Sequence, residues 1–92
     1  MLINMVMQST ILERVIDPRR GGFPPELARQ ILKLDFPPED HARYQELSQR
    51  AQDGTLTPGE RTELEDYLNV NDFLTILKAK ADTSLRQQVP AA

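Results

Sequence analysis

Cysteine and tryptophan are absent, and histidine occurs once, at His41. Without a thiol there is no disulfide framework, no thiolate nucleophile and no thiolate metal ligand, a composition compatible with a reducing cytosol. Basic residues are in deficit: 11 Lys plus Arg face 14 Asp plus Glu, giving a formal net charge of −3 and a pI near 5.0. That is the wrong sign for a protein whose affinity comes from neutralising phosphates, so direct binding to nucleic acid is not expected. Long apolar runs are also missing. The stretch MLINMVMQSTILERVI is broken by Asn4, Gln8 and Glu13, has no basic region before it, and is too short and polar to span a bilayer. No P-loop, dinucleotide fingerprint, nucleophile elbow or zincin motif occurs. These absences predict a non-enzymatic cytoplasmic protein without cofactor or metal.

What is present reads as helix. A chain of 92 residues fits one domain whose modest core buries roughly 60 to 65% of the unfolded chain's surface, which leaves oligomerisation open as a source of stability. The tetrapeptide Phe23-Pro24-Pro25-Glu26 recurs thirteen residues later as Phe36-Pro37-Pro38-Glu39. Proline suits the first helical turn, where an N–H has no intrahelical partner, and glutamate there faces the positive end of the helix dipole. Each Phe stands just outside, placed to pack back on the first turn.

Four helical segments are predicted, making an all-α domain with short N-terminal helices, an antiparallel hairpin and a long C-terminal helix. Residues 9–16 follow Ser9 as N-cap, set Ile11, Leu12, Val15 and Ile16 at helical spacing and stop at Asp17-Pro18, because the residue before proline avoids the α region. A loop from Asp17 to Gly22 carries Arg19 and Arg20. Residues 25–34 place Leu27, Ile31 and Leu34 on one face. Residues 38–52 turn Tyr44, Leu47 and Ala51 inward and end at Gly54, the expected left-handed cap. The last helix runs from Thr57 to about Arg86, roughly 45 Å if unbroken. Its apolar residues Leu64, Tyr67, Val70, Phe73, Leu74, Leu77, Ala81 and Leu85 cover about half the circumference. Glu60, Glu63, Glu65 and Asp66 at its start, and Lys78, Lys80 and Arg86 near its end, match the macrodipole. The organisation is thus an N-terminal segment and loop (1–22), a helical core (23–86) and a tail (87–92).

Residues 51–68, AQDGTLTPGERTELEDYL, invite two readings. From Asp53 they match the second half of a calcium-binding loop, with Gly54, Leu56 and Glu60 at its sixth, eighth and twelfth positions. That alignment puts Gln49 and Ala51 where the first and third oxygen ligands belong. The other reading makes Gly54 a helix terminator, Thr57 an N-cap, Pro58 the first helical residue and Glu60 the capping-box partner of Thr57. It accounts for more residues, and its short connection makes the two flanking helices antiparallel neighbours.

Candidate functional residues are few. His41 shares a first turn with Glu39 and Asp40, but adjacent helical residues do not face each other, so it reads as an exposed histidine. Arg19-Arg20-Gly21-Gly22 is either a small anion-contacting loop or a connector. Asn71 projects onto the apolar arc, where it either fixes the register of a helix assembly or bonds within its own subunit. Val70, Asn71, Phe73, Leu74, Ile76, Leu77 and Ala81 form the expected partner-binding surface, since apolar residues this dense leave some exposed in a monomer.

Residues 28–81 resemble a family of small, functionally uncharacterised bacterial proteins. The shared elements are ILxLxF (Ile31 to Phe36), DxxRxxEL (Asp40, Arg43, Glu46, Leu47), GTLTxxExxELxxY (Gly54 to Tyr67) and a closing KAxxSL (Lys80 to Leu85). Such proteins tend to be encoded beside small HNH-type nucleases, so the resemblance implies an accessory, inhibitor or antitoxin-like role and names no catalytic residue. Together these readings predict a protein–protein interaction module for a more basic partner such as a nuclease. A self-assembling homo-oligomer is the alternative, and a helix-turn-helix repressor is disfavoured by the charge.

Overall fold

A computed structural model describes residues 11–87, and all regular structure among them is α-helical. Residues 11–16 form α1, followed by α2 (Pro25–Leu32), α3 (Pro38–Asp53) and α4 (Pro58–Gln87). The all-α architecture and the long C-terminal helix are as expected. The Ser9 cap lies outside the described residues. Asn69 to Asn71 do not interrupt α4, which is continuous over its 30 residues. The described residues pack as two compact units: one combines those up to Leu34 with those from Asp72 onward, the other is Asp35–Asn71.

In the first unit, Ala28, Ile31 and Ala81 form the buried cluster, with Phe23, Leu77 and Leu85 packed against it. The expected inward face of α2 is therefore rotated. Ile31 is buried as predicted, but Ala28 takes the place given to Leu27 and Leu34, which are 45% and 44% exposed. A methyl side chain at position 28 allows a closer approach than leucine does. The helix also stops at Leu32 rather than Leu34, because Lys33 and Leu34 close short turns onto the carbonyls of Gln30 and Ile31.

The loop between α1 and α2 is tied to α4 throughout its length. Lys80 Nζ donates to the Arg20 carbonyl (2.8 Å) and Thr83 Oγ1 to the Pro18 carbonyl (2.8 Å). In the other direction, Phe23 N–H donates to Ser84 Oγ (3.1 Å) and Gly21 N–H to Gln87 Oε1 (3.1 Å). Positions 80, 83, 84 and 87 recur at the i, i+3, i+4, i+7 spacing of one helical face, here a polar one. Lys80 thus clips a loop, where the sequence had suggested a cation matching the helix dipole. Asp17 ends α1 at φ 52°, a left-handed conformation that aspartate tolerates better than most residues, where an extended pre-proline residue was expected.

In the second unit, α3 and the first half of α4 form the antiparallel hairpin. Gly54 is the left-handed cap of α3 (φ 72°), its N–H directed to Arg50 and Ala51 carbonyls. Thr57 and Glu60 form the capping box: Glu60 N–H donates to Thr57 Oγ1 (3.1 Å) and Thr57 N–H to Glu60 Oε1 (3.0 Å). The helix-corner reading of residues 51–68 is therefore the one realised. Leu47 is fully buried, whereas Ala51 is exposed and Tyr44 is 37% exposed. The inward face of α3 centres on Leu47 because charged residues flank it there, engaging α4 with long side chains.

Candidate functional site

The same tetrapeptide builds the contrast between the two units. The ring of Phe23 lies beneath the Lys80 ammonium, 5.3 Å from the ring centroid. The ring of Phe36 instead joins an aromatic cluster. Its centroid is 5.7 Å from Tyr67 and 5.9 Å from His41, and Tyr67 stands 6.2 Å from Tyr44. Asp35 Oδ1 holds this corner by accepting the Phe36 N–H (2.8 Å) and lying 3.1 Å from His41 Nε2. The only histidine is thus engaged by Asp35, six positions earlier, rather than by Glu39 or Asp40.

Phe36, Tyr67 and Val70 wall a cavity of about 250 Å³, whose other described lining residues are Asp40, Glu63 and Asp66. Helix geometry explains the set. Glu63, Asp66, Tyr67 and Val70 stand at i, i+3, i+4 and i+7 along α4, and Asp40 projects from the first turn of α3. Tyr67 O–H donates to Asp40 Oδ1 at 2.6 Å. That bond to a carboxylate, with a smaller effect of desolvation, pushes the phenol up to about 12 from its ordinary 10. A second cavity, about 170 Å³, is lined by Phe36, His41, Tyr44 and Asn71.

The three acidic lining groups differ. Glu63 receives two hydrogen bonds from Arg43, through Nε and Nη2, both 2.8 Å, and these hold its carboxyl below the usual range against an opposing desolvation. Asp40 is hydrogen-bonded to the phenol but keeps its second oxygen. Asp66 is exposed and has no hydrogen-bond or ion-pair partner among the described residues. The acidic start of α4, read from sequence as a solvated face, is in part an interhelical charge network: Arg43 joins Glu46 and Glu63, and Arg50 joins Glu46 and Glu60. The Arg43, Glu46, Arg50 spacing on α3, set against Glu60 and Glu63 on α4, is the signal for that network. Among the described residues, no group of three or more His, Asp or Glu side chains is placed to hold a metal ion, and no helix is long and apolar enough to cross a membrane.

The seven residues expected to bind a partner separate by burial. Val70 and Phe73 are 41% and 39% exposed, and Asn71 is exposed beside the second cavity. Leu74 is half-buried. Ile76 and Ala81 are buried, Ala81 completely, and Leu77 packs on the core cluster of the first unit. The apolar arc of α4 is wide enough to serve the chain's own core with its later residues and still expose Val70 and Phe73. The Arg19 and Arg20 side chains are 92% and 86% exposed, with Asp17 oxygens 3.6 and 3.4 Å away. Comparison with protein-family models, curated proteins and solved structures finds no match for this chain.

Proposed function

We propose that this chain is a non-enzymatic protein-binding module, with the surface around Phe36, Tyr67 and Val70 as its contact face. The observation that carries this reading is the surplus of apolar surface. Among the described residues eight large apolar side chains are exposed, from Leu32 at 37% to Val15 at 77%, against five buried apolar residues, two of them alanines. A partner that covers such surface gains from burial at roughly 25 cal/mol per Å². The acidic balance of the chain favours a basic partner by steering encounter. An accessory or antitoxin-like inhibitor of a nuclease is one form of this role.

Native mass spectrometry of a tagged copy purified gently from its own host tests it. A stoichiometric second protein, lost when Val70 is changed to Asp in a chain that stays folded, is the expected result. A protein that remains monomeric and alone would refute the reading. A homo-oligomer alone would select the self-assembling alternative and direct attention to Asn71.

A further inference from the structure

The cavity lined by Phe36, Tyr67, Val70, Asp40, Asp66 and Glu63 combines aromatic side chains with carboxylates. None of its described lining residues is basic. The first unit provides an internal comparison. There the Phe of the same tetrapeptide already has an ammonium over its ring, supplied by Lys80 of its own chain. In the second unit the Phe ring borders a pocket whose charged lining is entirely acidic. A cation placed there gains from both features, attracted by the ring quadrupoles and by the carboxylates.

We propose that this pocket receives an arginine side chain from a different, partner protein. A planar guanidinium stacks on an aromatic face and meets a carboxylate through two parallel N–H donors, which an ammonium cannot do. Asp66 supplies a carboxylate not engaged elsewhere among the described residues, and Asp40 a second oxygen beside the one taken by Tyr67. The Tyr67 O–H bond to Asp40 sets both the ring and that carboxylate before binding. Glu63 contributes background charge, since Arg43 already spans it. Val70 covers the aliphatic stem. This inference rests on the protein-binding reading and adds the chemistry of the contact.

The test uses the full chain, isotope-labelled, titrated with acetyl-Gly-Arg-Gly-amide while backbone and aromatic NMR resonances are followed. The resonances of Phe36, Asp66, Tyr67 and Val70 should move together and saturate. Replacing arginine by the uncharged isostere citrulline, or Asp66 by Asn in the protein, should weaken binding about tenfold or more, because a hydrogen bond to a charged group is lost. Asp66 is exposed, so D66N keeps the fold, and the same spectra verify that. Arginine and citrulline peptides acting alike, or neither acting, would overturn the proposal. A lysine peptide binding as tightly as the arginine one would overturn the guanidinium assignment. If these resonances move with the protein's own concentration, and cease to do so in an Arg19→Ser, Arg20→Ser variant, the occupant is a second copy and the assignment to a different protein fails. Because the peptide experiment is separate from native mass spectrometry, a failed pocket and a failed protein-binding role are told apart.

Discussion

Gly21 should be among the least replaceable residues in the first unit. A Cβ built on it would stand 2.2 Å from Gln87 Oε1 and 2.8 Å from Ser84 Cα. The glutamine side chain can swing away, at the loss of the Gly21 N–H bond, about 1 kcal/mol. Ser84 Cα belongs to the α4 backbone and cannot yield, so the loop must lift. Overpacking of this kind costs about 1–3 kcal/mol, and lifting also stretches the bond from Phe23 N–H to Ser84 Oγ. Gly21→Ala should therefore destabilise the chain by about 2–4 kcal/mol, a large share of what a domain of this size possesses. Gly59→Ala is the control. It lies in the first turn of α4 with nothing within 4 Å of its added methyl, and should stabilise by up to about 1 kcal/mol. Urea denaturation followed by far-UV circular dichroism gives both values, the slope testing two-state behaviour. A Gly21→Ala chain within about 0.5 kcal/mol of the parent would refute the close packing of loop on helix.

Three further outcomes are expected. Thr57→Ala removes one half of the capping box and should cost about 1 kcal/mol, read as a lower thermal midpoint; an unchanged midpoint would count against the cap. Glu60 and Glu63 are both held below the ordinary carboxyl value of 4.5, Glu60 chiefly by the Thr57 N–H and Glu63 chiefly by the Arg43 hydrogen bonds. Because their folded values are depressed, the stability they add is present above about pH 4.5 and is lost as pH falls through the folded values; a Glu63→Gln chain should show a flatter midpoint-versus-pH curve in acid. Tyr67 has the opposite sign, its value being raised from 10 to about 12, so its contribution is intact below pH 10 and lost as pH rises from 10 towards 12. Ultraviolet titration should show its phenolate forming late, and Asp40→Asn should bring that step to lower pH; an unaltered curve would sink the assignment.

Much of the fold could be read from spacing along the chain. Both FPPE segments, the Gly54 terminator and the Thr57–Glu60 box are interactions within a few residues, encoded by local backbone geometry, and each forms where the sequence places it. The aromatic pocket was only half legible. Phe36 was recognisable as a helix-start residue and Tyr67 as part of an apolar arc, but Asp40 and Tyr67 are 27 positions apart, and no local rule brings them together. Asp66 illustrates the same limit: a carboxylate in the early turns of α4 reads as solvated, and only the tertiary fold makes it line one pocket with Phe36.

Composition and periodicity by themselves determined the helical class, the positions of the helix ends on either side of Gly54 and the breadth of the α4 stripe, because these depend on propensity, capping and a repeat of 3.6 residues. Tertiary structure alone decided which part of that stripe is spent internally. Ala81 is buried against Ala28 and Ile31, while Val70 and Phe73, on the same helix, remain exposed. It also decided that Lys80, Thr83, Ser84 and Gln87 hold a loop 60 or more positions away in sequence. The physical reason is that a side chain's periodic position states which face it lies on, whereas its burial depends on what the rest of the chain brings to that face.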